Sequence, residues 1–219
     1  MLITNRATAI KVTGGLSEPS KMPGFGYSLP ASSCKTGSKL RNVEGSVCSR
    51  CYAWKGCYVF PSTKAAMKRR LKAIRCSQWV DGMVYLLLSQ KTSNYFRWHD
   101  SGDLQGMGHF KKILEVCKRT PNIIHWLPTH EHKLMRQVEK QGIEIPKNLV
   151  IRLSSCMIDA PVRLTSLGGF CASSTFTGIM SEKRKQVERP CNAALRKNTC
   201  GNCRICWDKK VKAVSYKLH

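Results

Sequence analysis

The stretch YFRWHDSGDLQGMGHFKKILEVCKRTPNIIHWL (residues 95–127) decides the fold. Its two ends, Tyr95–His99 and Asn122–Leu127, are short and rich in aromatic and β-branched residues, which is typical of strands. Between them, apolar residues recur at helical spacing from Phe110 to Cys117, and Pro121 ends this pattern. The order of strand, helix and strand predicts a unit with two parallel strands.

The same alternation continues on both sides of this unit. Downstream, the sequence predicts a helix over Glu131–Lys140, a strand over Leu149–Leu153 and the start of another strand at Val162–Leu164. Upstream, it predicts a short strand over Gly24–Pro30 and a helix over Lys64–Trp79. Residues 1–24 are expected to form an irregular arm or an edge strand, and residues 165–182 a loop rich in Gly, Ser and Thr.

These elements predict an α/β protein with a full or partial (β/α) TIM-like barrel and a cysteine-rich C-terminal segment. An open Rossmann-type sheet has the same alternation, but no G-x-G-x-x-G follows a strand here. We expect a barrel-like domain over residues 1–180, including the N-terminal cysteine loop. Residues 181–219 are expected to form a metal-binding segment that packs on the barrel mouth.

In parallel α/β folds, functional residues collect beyond the carboxyl ends of the strands. This rule selects polar residues after four predicted strands: Cys34; Asp100, Ser101 and Asp103; Thr129, His130 and His132; and Ser154, Ser155 and Cys156. Of these, Asp100, Asp103 and His130 are the candidate catalytic residues, because two carboxylates and an imidazole suit proton transfer and the binding of an amine, a ribose or a metal. Turn and helix-capping roles are the alternative for the same residues.

The basic composition points to an anionic partner. The chain has 37 Lys and Arg residues against 13 Asp and Glu residues, a formal net charge of +24. Nucleic acid is the first candidate partner, with a generally basic surface as the alternative. No apolar run is long enough to span a bilayer, so we expect no membrane partner. The N-terminus has no signal-peptide pattern, which predicts a reducing cytoplasm.

The 12 cysteines carry the strongest chemical signal. In a reducing compartment, clustered cysteines bind metal more often than they form disulfides. One group has the spacing C-x8-C-x2-C-x2-C, with cysteines at positions Cys191, Cys200, Cys203 and Cys206. Three thiolates in one tight turn and a more distant fourth favour a four-iron, four-sulfur cluster over zinc, which remains the alternative.

A second group contains Cys34, Cys48 and Cys51, with Cys57 beyond a turn. Three thiolates on a four-iron cluster would leave one iron open to a substrate or cofactor. Two alternatives stay open. Cys48 and Cys51 simply pack in the core, or the two groups share one cluster.

Several motifs resemble those of the gene product 88 family of phage and prophage proteins. They are SLPASSC (28–34), SVCSRCYAWKG (46–56), RWHDSGD (97–103), LVIRLS (149–154) and CGNCRICWD (200–208). The resemblance implies a phage-encoded protein of undefined activity with a TIM-barrel-like fold and an iron–sulfur cluster. It also implies a host-cytoplasmic location.

This family is in turn similar to radical SAM enzymes, whose partial barrels hold a three-cysteine cluster after the first strand. The similarity implies that Cys34, Cys48 and Cys51 hold the reactive cluster and that Ser101, Gly102 and Asp103 meet the amine of S-adenosylmethionine. It further implies an auxiliary cluster at the C-terminal cysteines. The spacing differs from the usual C-x3-C-x2-C, because 13 residues separate Cys34 from Cys48 and Arg50 precedes Cys51.

Three functions compete at this point. The first is an iron–sulfur enzyme, radical-SAM-like or redox, with an unknown substrate. The second is a nucleic-acid-binding protein whose iron–sulfur or zinc site only stabilises the fold. The third is a structural phage protein that carries a stable cluster.

Overall fold

The computed structural model describes residues 3–162 and 168–218. Within them, the helices are α1 (Arg6–Thr13), α2 (Lys35–Leu40), α3 (Pro61–Ala73), α4 (Trp79–Leu88), α5 (Met107–Arg119), α6 (His132–Lys140) and α7 (Glu182–Val187). The strands are β1 (Gly26–Tyr27), β2 (Tyr95–Trp98), β3 (Ile124–Thr129), β4 (Leu149–Ser154), β5 (Cys171–Phe176), β6 (Arg189–Pro190) and β7 (Ala213–Lys217).

All seven strands belong to one parallel sheet with the order β1-β2-β3-β4-β5-β7-β6. Strands β1 to β5 therefore follow one another in chain order, as they do in a (β/α) barrel. Within the described ranges, β1 and β6 are the two edges, so the sheet is open. The predicted α/β class is confirmed, in the form of a partial TIM-like fold.

The two faces of the sheet pack against different parts of the chain, because side chains alternate between the faces along each strand. One face carries Phe96, Trp98, Leu127 and Ile151 and packs against the helices in the main core. The opposite face carries Trp126, which joins a second apolar cluster with Trp207, Val211 and Val214. The sheet thus separates a helix-covered core from a face that the C-terminal segment covers.

Arg152 fixes the C-terminal segment to this second face. It is completely buried, and all the acceptors of its guanidinium are main-chain carbonyl oxygens. Four of them belong to one turn of the C-terminal segment, at distances of 2.7–3.0 Å: Ile205, Cys206, Asp208 and Val211. Strand β7 then enters the sheet between β5 and β6. The domain boundary at residue 180 stays a prediction.

Three expectations were wrong. The helix expected over Lys64–Trp79 ends at Ala73, and a separate helix, α4, begins at Trp79. The first 24 residues contain helix α1 rather than only an arm or edge strand. The side chain of Asn5 accepts a hydrogen bond from the Thr8 amide at 2.8 Å, and Gly14 ends the helix at φ 79°. The helix is held by close packing on α4, where a Cβ at Gly82 would lie 2.5 Å from Val12.

The expected loop over residues 165–182 contains strand β5. Its sequence, CASSTF, has little apolar periodicity, yet almost all of its residues are buried between β4 and β7. Pairing with neighbouring strands therefore decides its structure rather than its own residue preferences. The strand expected to begin at Val162–Leu164 falls mostly outside the described residues.

Candidate metal centres

The loops after β1 to β4 meet at the carboxyl ends of these strands, a region that we call the mouth. The first of these loops carries the N-terminal cysteine group, Cys34, Cys48 and Cys51. Cys34 immediately precedes α2, while Cys48 lies in a short 3-10 turn that the Ser46 hydroxyl caps at 3.0 Å. The Cys34 thiol lies within electrostatic range of both Cys48 and Cys51. The loop therefore gathers three thiols that are up to 17 positions apart in sequence.

Gly37 makes room for this group. A Cβ at position 37 would lie 3.0 Å from the Cβ of Cys34 and 3.5 Å from the Sγ of Cys48. Any larger residue would therefore push into the space that the thiols face. The main-chain amide of Thr36, one residue earlier, donates to the Glu131 carboxylate at 2.8 Å, which ties the cysteine loop to the end of β3.

Cys156, after β4, joins the same mouth. Its thiol is within electrostatic range of Cys48 and of the imidazoles of His130 and His132. These imidazoles are the main reason that the pKa of Cys156 falls to about 6, because they stabilise the thiolate. Two cysteines and two histidines from three different loops are therefore neighbours.

The Asp103 carboxylate connects two of the loops that surround the mouth. Its carboxylate accepts hydrogen bonds from the Leu104 amide at 2.7 Å, the Thr129 hydroxyl at 2.6 Å and the His130 amide at 2.8 Å. Burial raises its pKa above the usual range. The contacts of Asp103 therefore join the ends of β2 and β3 and position His130.

Ser101 and Gly102 lie against the start of the cysteine loop. The Ser101 hydroxyl donates to the Leu29 carbonyl at 2.8 Å, and the Leu29 amide donates to the Ser101 carbonyl at the same distance. Gly102 has φ 81°, and a Cβ there would lie 2.5 Å from that of Leu29. These contacts join β2 to the segment that leads to Cys34. The predicted roles of Ser101, Gly102 and Asp103 in cofactor binding stay predictions.

Asp100 holds the second half of the cysteine loop. Its main-chain carbonyl accepts a short hydrogen bond from the Tyr52 hydroxyl. Its carboxylate accepts from Tyr58 at 3.2 Å and from Ser17 at 3.1 Å. Because Tyr52 directly follows Cys51, Asp100 fixes that thiol relative to strand β2. The catalytic roles suggested for Asp100, Asp103 and His130 stay predictions.

The C-terminal cysteine group, Cys191, Cys200, Cys203 and Cys206, gathers on the second face of the sheet. Cys200 is within electrostatic range of Cys191 and Cys203, and Cys206 is within range of Cys191. The Cys203 amide donates to the Cys200 carbonyl at 2.9 Å, which forms the tight turn that the spacing predicts. Cys191 reaches the group because its amide pairs with Ser215 of β7 at 2.7 Å.

Arg97 lies between the two cysteine groups. Its guanidinium stacks on Trp126 at 4.4 Å and approaches the Tyr52 hydroxyl at 3.3 Å. It is also within electrostatic range of Cys200 and Cys206. A fixed positive charge here offsets the negative charge of thiolate ligands, so Arg97 favours an anionic centre at the C-terminal group.

Burial keeps most of these thiols protonated in the absence of a metal. It is the main cause that raises the pKa of Cys48 and of Cys206 to about 12, and it also raises the pKa of Cys34, Cys51 and Cys200. Metals bind the thiolate, so binding here would release protons.

The spacing of the thiols bears on which metal fits. Across residues 3–162 and 168–218, no three Cys, His, Asp or Glu side chains converge closely enough for a single metal ion. A mononuclear zinc site needs all its ligands about 2.3 Å from one ion. An iron–sulfur cluster binds each thiolate through a different iron, so its ligands stand farther apart. Thiolates are donors that both zinc and iron–sulfur clusters accept, so the choice between the two stays a prediction.

Sequence reasoning identified both cysteine groups but did not identify three residues that support them. Glu131, Arg97 and Arg152 interact with the cysteine loops through tertiary contacts. A signal was present for two of them, because Arg97 and Arg152 are lone charges within otherwise apolar or aromatic strands. Charges at such positions are buried only when they have partners.

Comparison with known proteins identifies the family of the chain. No curated protein and no solved structure matches the chain significantly. The profile of the family described as gene product 88 matches residues 1–209, nearly the whole chain. Strands β1 to β6, the two cysteine groups and the strand-end mouth lie within that range, whereas β7 follows it. The chain therefore belongs to the gene product 88 family, a family of phage gene products.

Proposed function

We propose that this phage-family protein is an iron–sulfur redox protein with two centres, one at each cysteine group. The observation that carries the proposal is the separation of the seven predicted cysteines into two sets of neighbours. Thiols interact electrostatically with members of their own group: Cys34 with Cys48 and Cys51, and Cys200 with Cys191 and Cys203. Clusters held by thiolates supply one-electron chemistry.

The surroundings of the two groups suit different tasks. In the C-terminal group, Cys206 is buried beside Trp207, Trp126 and Tyr216, whereas its other three cysteines are half-buried. The N-terminal group lies in loops at the open mouth, where its cysteines are half-buried. We infer that the N-terminal centre meets the reaction partner and that the C-terminal centre stabilises the fold or stores an electron.

The contacts of the DSGD stretch favour redox chemistry over a SAM-dependent reaction. A SAM-dependent enzyme needs free polar groups at the strand end to bind the amine of the cofactor. Ser101 and Asp103 instead use their polar atoms in hydrogen bonds between neighbouring strand ends and loops. A redox protein needs no such free groups.

Anaerobic reconstitution with iron and sulfide tests the proposal. We expect a brown protein with the visible absorption of thiolate-bound iron–sulfur clusters, and reduction by dithionite should produce an electron paramagnetic resonance (EPR) signal. Reconstitution in the presence of zinc is the control for metal preference. A colourless protein that retains stoichiometric zinc and no sulfide would contradict the proposal.

A second function, binding of single-stranded nucleic acid, is favoured by one exposed surface. We define the aromatic–basic surface as Tyr52, Trp54, Phe60, Arg41, Lys64 and Lys68. Phe60 is 58% exposed, and Arg41 stacks on Trp54 at 3.7 Å. Lys64 and Lys68 follow Phe60 on successive turns of α3. Aromatic faces and cations so arranged can stack bases and neutralise phosphates.

Replacing both Trp54 and Phe60 with alanine should weaken binding of an oligothymidine strand at least tenfold, because each base–aromatic stack contributes about 1–3 kcal/mol. Leu88→Ala is the matched control, since Leu88 is 59% exposed at the far end of α4. Fluorescence anisotropy at several salt concentrations measures the affinities. Equal affinities of the two variants, or no binding at low salt, would exclude this function.

A further inference from the structure

The environment of Cys156 is not explained by the two predicted cysteine groups. This residue follows β4, more than 100 positions after Cys51 in the sequence. Its thiol nevertheless lies among the side chains that surround the N-terminal group. An isolated structural cysteine is usually packed in the core, as Cys117 is. Cys156 is instead half-buried at the mouth.

A short antiparallel pairing fixes the position of Cys156. The Val47 amide donates to the Cys156 carbonyl at 2.9 Å, and the Ile158 amide donates to the Gly45 carbonyl at the same distance. Ser46 and Met157 form the bridge between these two hydrogen bonds. Because Val47 directly precedes Cys48, this pairing brings the main chain of Cys156 next to the segment that carries Cys48. The position of Cys156 thus rests on main-chain geometry that does not depend on its side chain.

The other neighbours of the Cys156 side chain are also held in place. His130 and His132 lie beside its thiol, and His132 reaches the Ser154 carbonyl at 2.8 Å through its Nε2. The His130 amide is held by Asp103 at 2.8 Å. Imidazoles beside a thiolate stabilise its negative charge. Cys156 thus has a neighbouring thiol on one side and two imidazoles on the other.

We propose that Cys156 is the fourth ligand of the N-terminal centre, together with Cys34, Cys48 and Cys51. This inference rests on the proposed iron–sulfur function of that centre. Four thiolates close a four-iron cluster, so no iron is left open to bind a substrate or S-adenosylmethionine. The N-terminal centre is then an electron-transfer site rather than a site of substrate coordination. His130 and His132 are positioning residues that support the fourth thiolate.

Replacing Cys156 with alanine tests this assignment. We expect the reconstituted variant to lose about one iron of the four in this centre and to show, after oxidation, the EPR signal of a three-iron cluster. Loss of the whole centre, with a circular dichroism spectrum like that of the wild type, would equally support a ligand role. Cys57→Ala is the matched control, because Cys57 is an exposed cysteine of the neighbouring loop. It should retain the wild-type iron content and spectrum.

Cys156→Ser covers the case in which the alanine variant fails to fold. A serine oxygen can replace the sulfur, so this variant should keep its iron but shift the reduction potential and the EPR spectrum of one centre. Iron content, potential and spectrum equal to those of Cys57→Ala would overturn the inference while leaving the proposed function intact. A wild-type protein without iron and sulfide would overturn both.

Discussion

Replacing Arg152 with alanine is expected to lower the free energy of unfolding by about 4 kcal/mol, the largest stability effect of any single substitution considered. The side chain is fully buried, and its guanidinium donates to carbonyl oxygens of Ile205, Cys206, Asp208 and Val211. An unpaired buried polar group costs about 1–3 kcal/mol, and the substitution leaves several carbonyls unpaired. A domain with the usual stability of about 5–15 kcal/mol would lose much of its margin.

Denaturant unfolding followed by circular dichroism measures this effect. Arg136→Ala is the matched control, because Arg136 is an exposed arginine on α6, and it should change the stability by less than about 0.5 kcal/mol. Arg152→Lys should fall between the two, since an ammonium group cannot reproduce the planar fork of five donors. Equal unfolding midpoints for Arg152→Ala and Arg136→Ala would show that Arg152 does not hold the C-terminal segment.

Cys48→Ala and Cys203→Ala are each expected to remove between one and all four irons of one centre, at most half of the bound iron, because each thiol belongs to a different centre. Cys48 interacts with Cys51 at the mouth, and Cys203 lies beside Cys200 on the second face of the sheet. The iron that remains in each variant should give the EPR spectrum of the other centre. Cys76→Ala, at a half-buried cysteine packed against the main core, should leave the iron content unchanged.

The double variant Cys48→Ala, Cys203→Ala should lose the wild-type EPR spectra of both centres. Complete loss of iron in each single variant, with circular dichroism spectra like that of the wild type, would contradict two centres and indicate one shared cluster. Loss in neither single variant would indicate that these thiols do not bind the metal.

The order of the central elements was predictable because their patterns are strong and local. The apolar spacing of α5 and the aromatic β2 specify their own structures, and the parallel arrangement follows from their alternation. Helix α1 was missed because its residues lack a clear apolar face, and only the Asn5 cap and Gly14 mark its ends. Strand β5 was missed because neighbouring strands, rather than its own small polar residues, determine its structure.

The candidate site was predictable to the extent that it depends on spacing. The turn at Cys200 and Cys203 is local, and the strand-end rule selects Asp103 and His130, which contact each other at the mouth. The approach of Cys156 to Cys48 depends instead on the pairing of residues 45–47 with residues 156–158. Sequence patterns do not encode such a long-range pairing, so the rule selects Cys156 without showing what it contacts.

The central claim is that the chain holds two iron–sulfur centres, and the iron and acid-labile sulfide content of the anaerobically reconstituted protein tests it most directly. With two four-iron clusters, we expect about eight iron and eight sulfide ions per chain. About four of each would indicate a single cluster, and iron or zinc without sulfide would contradict the account.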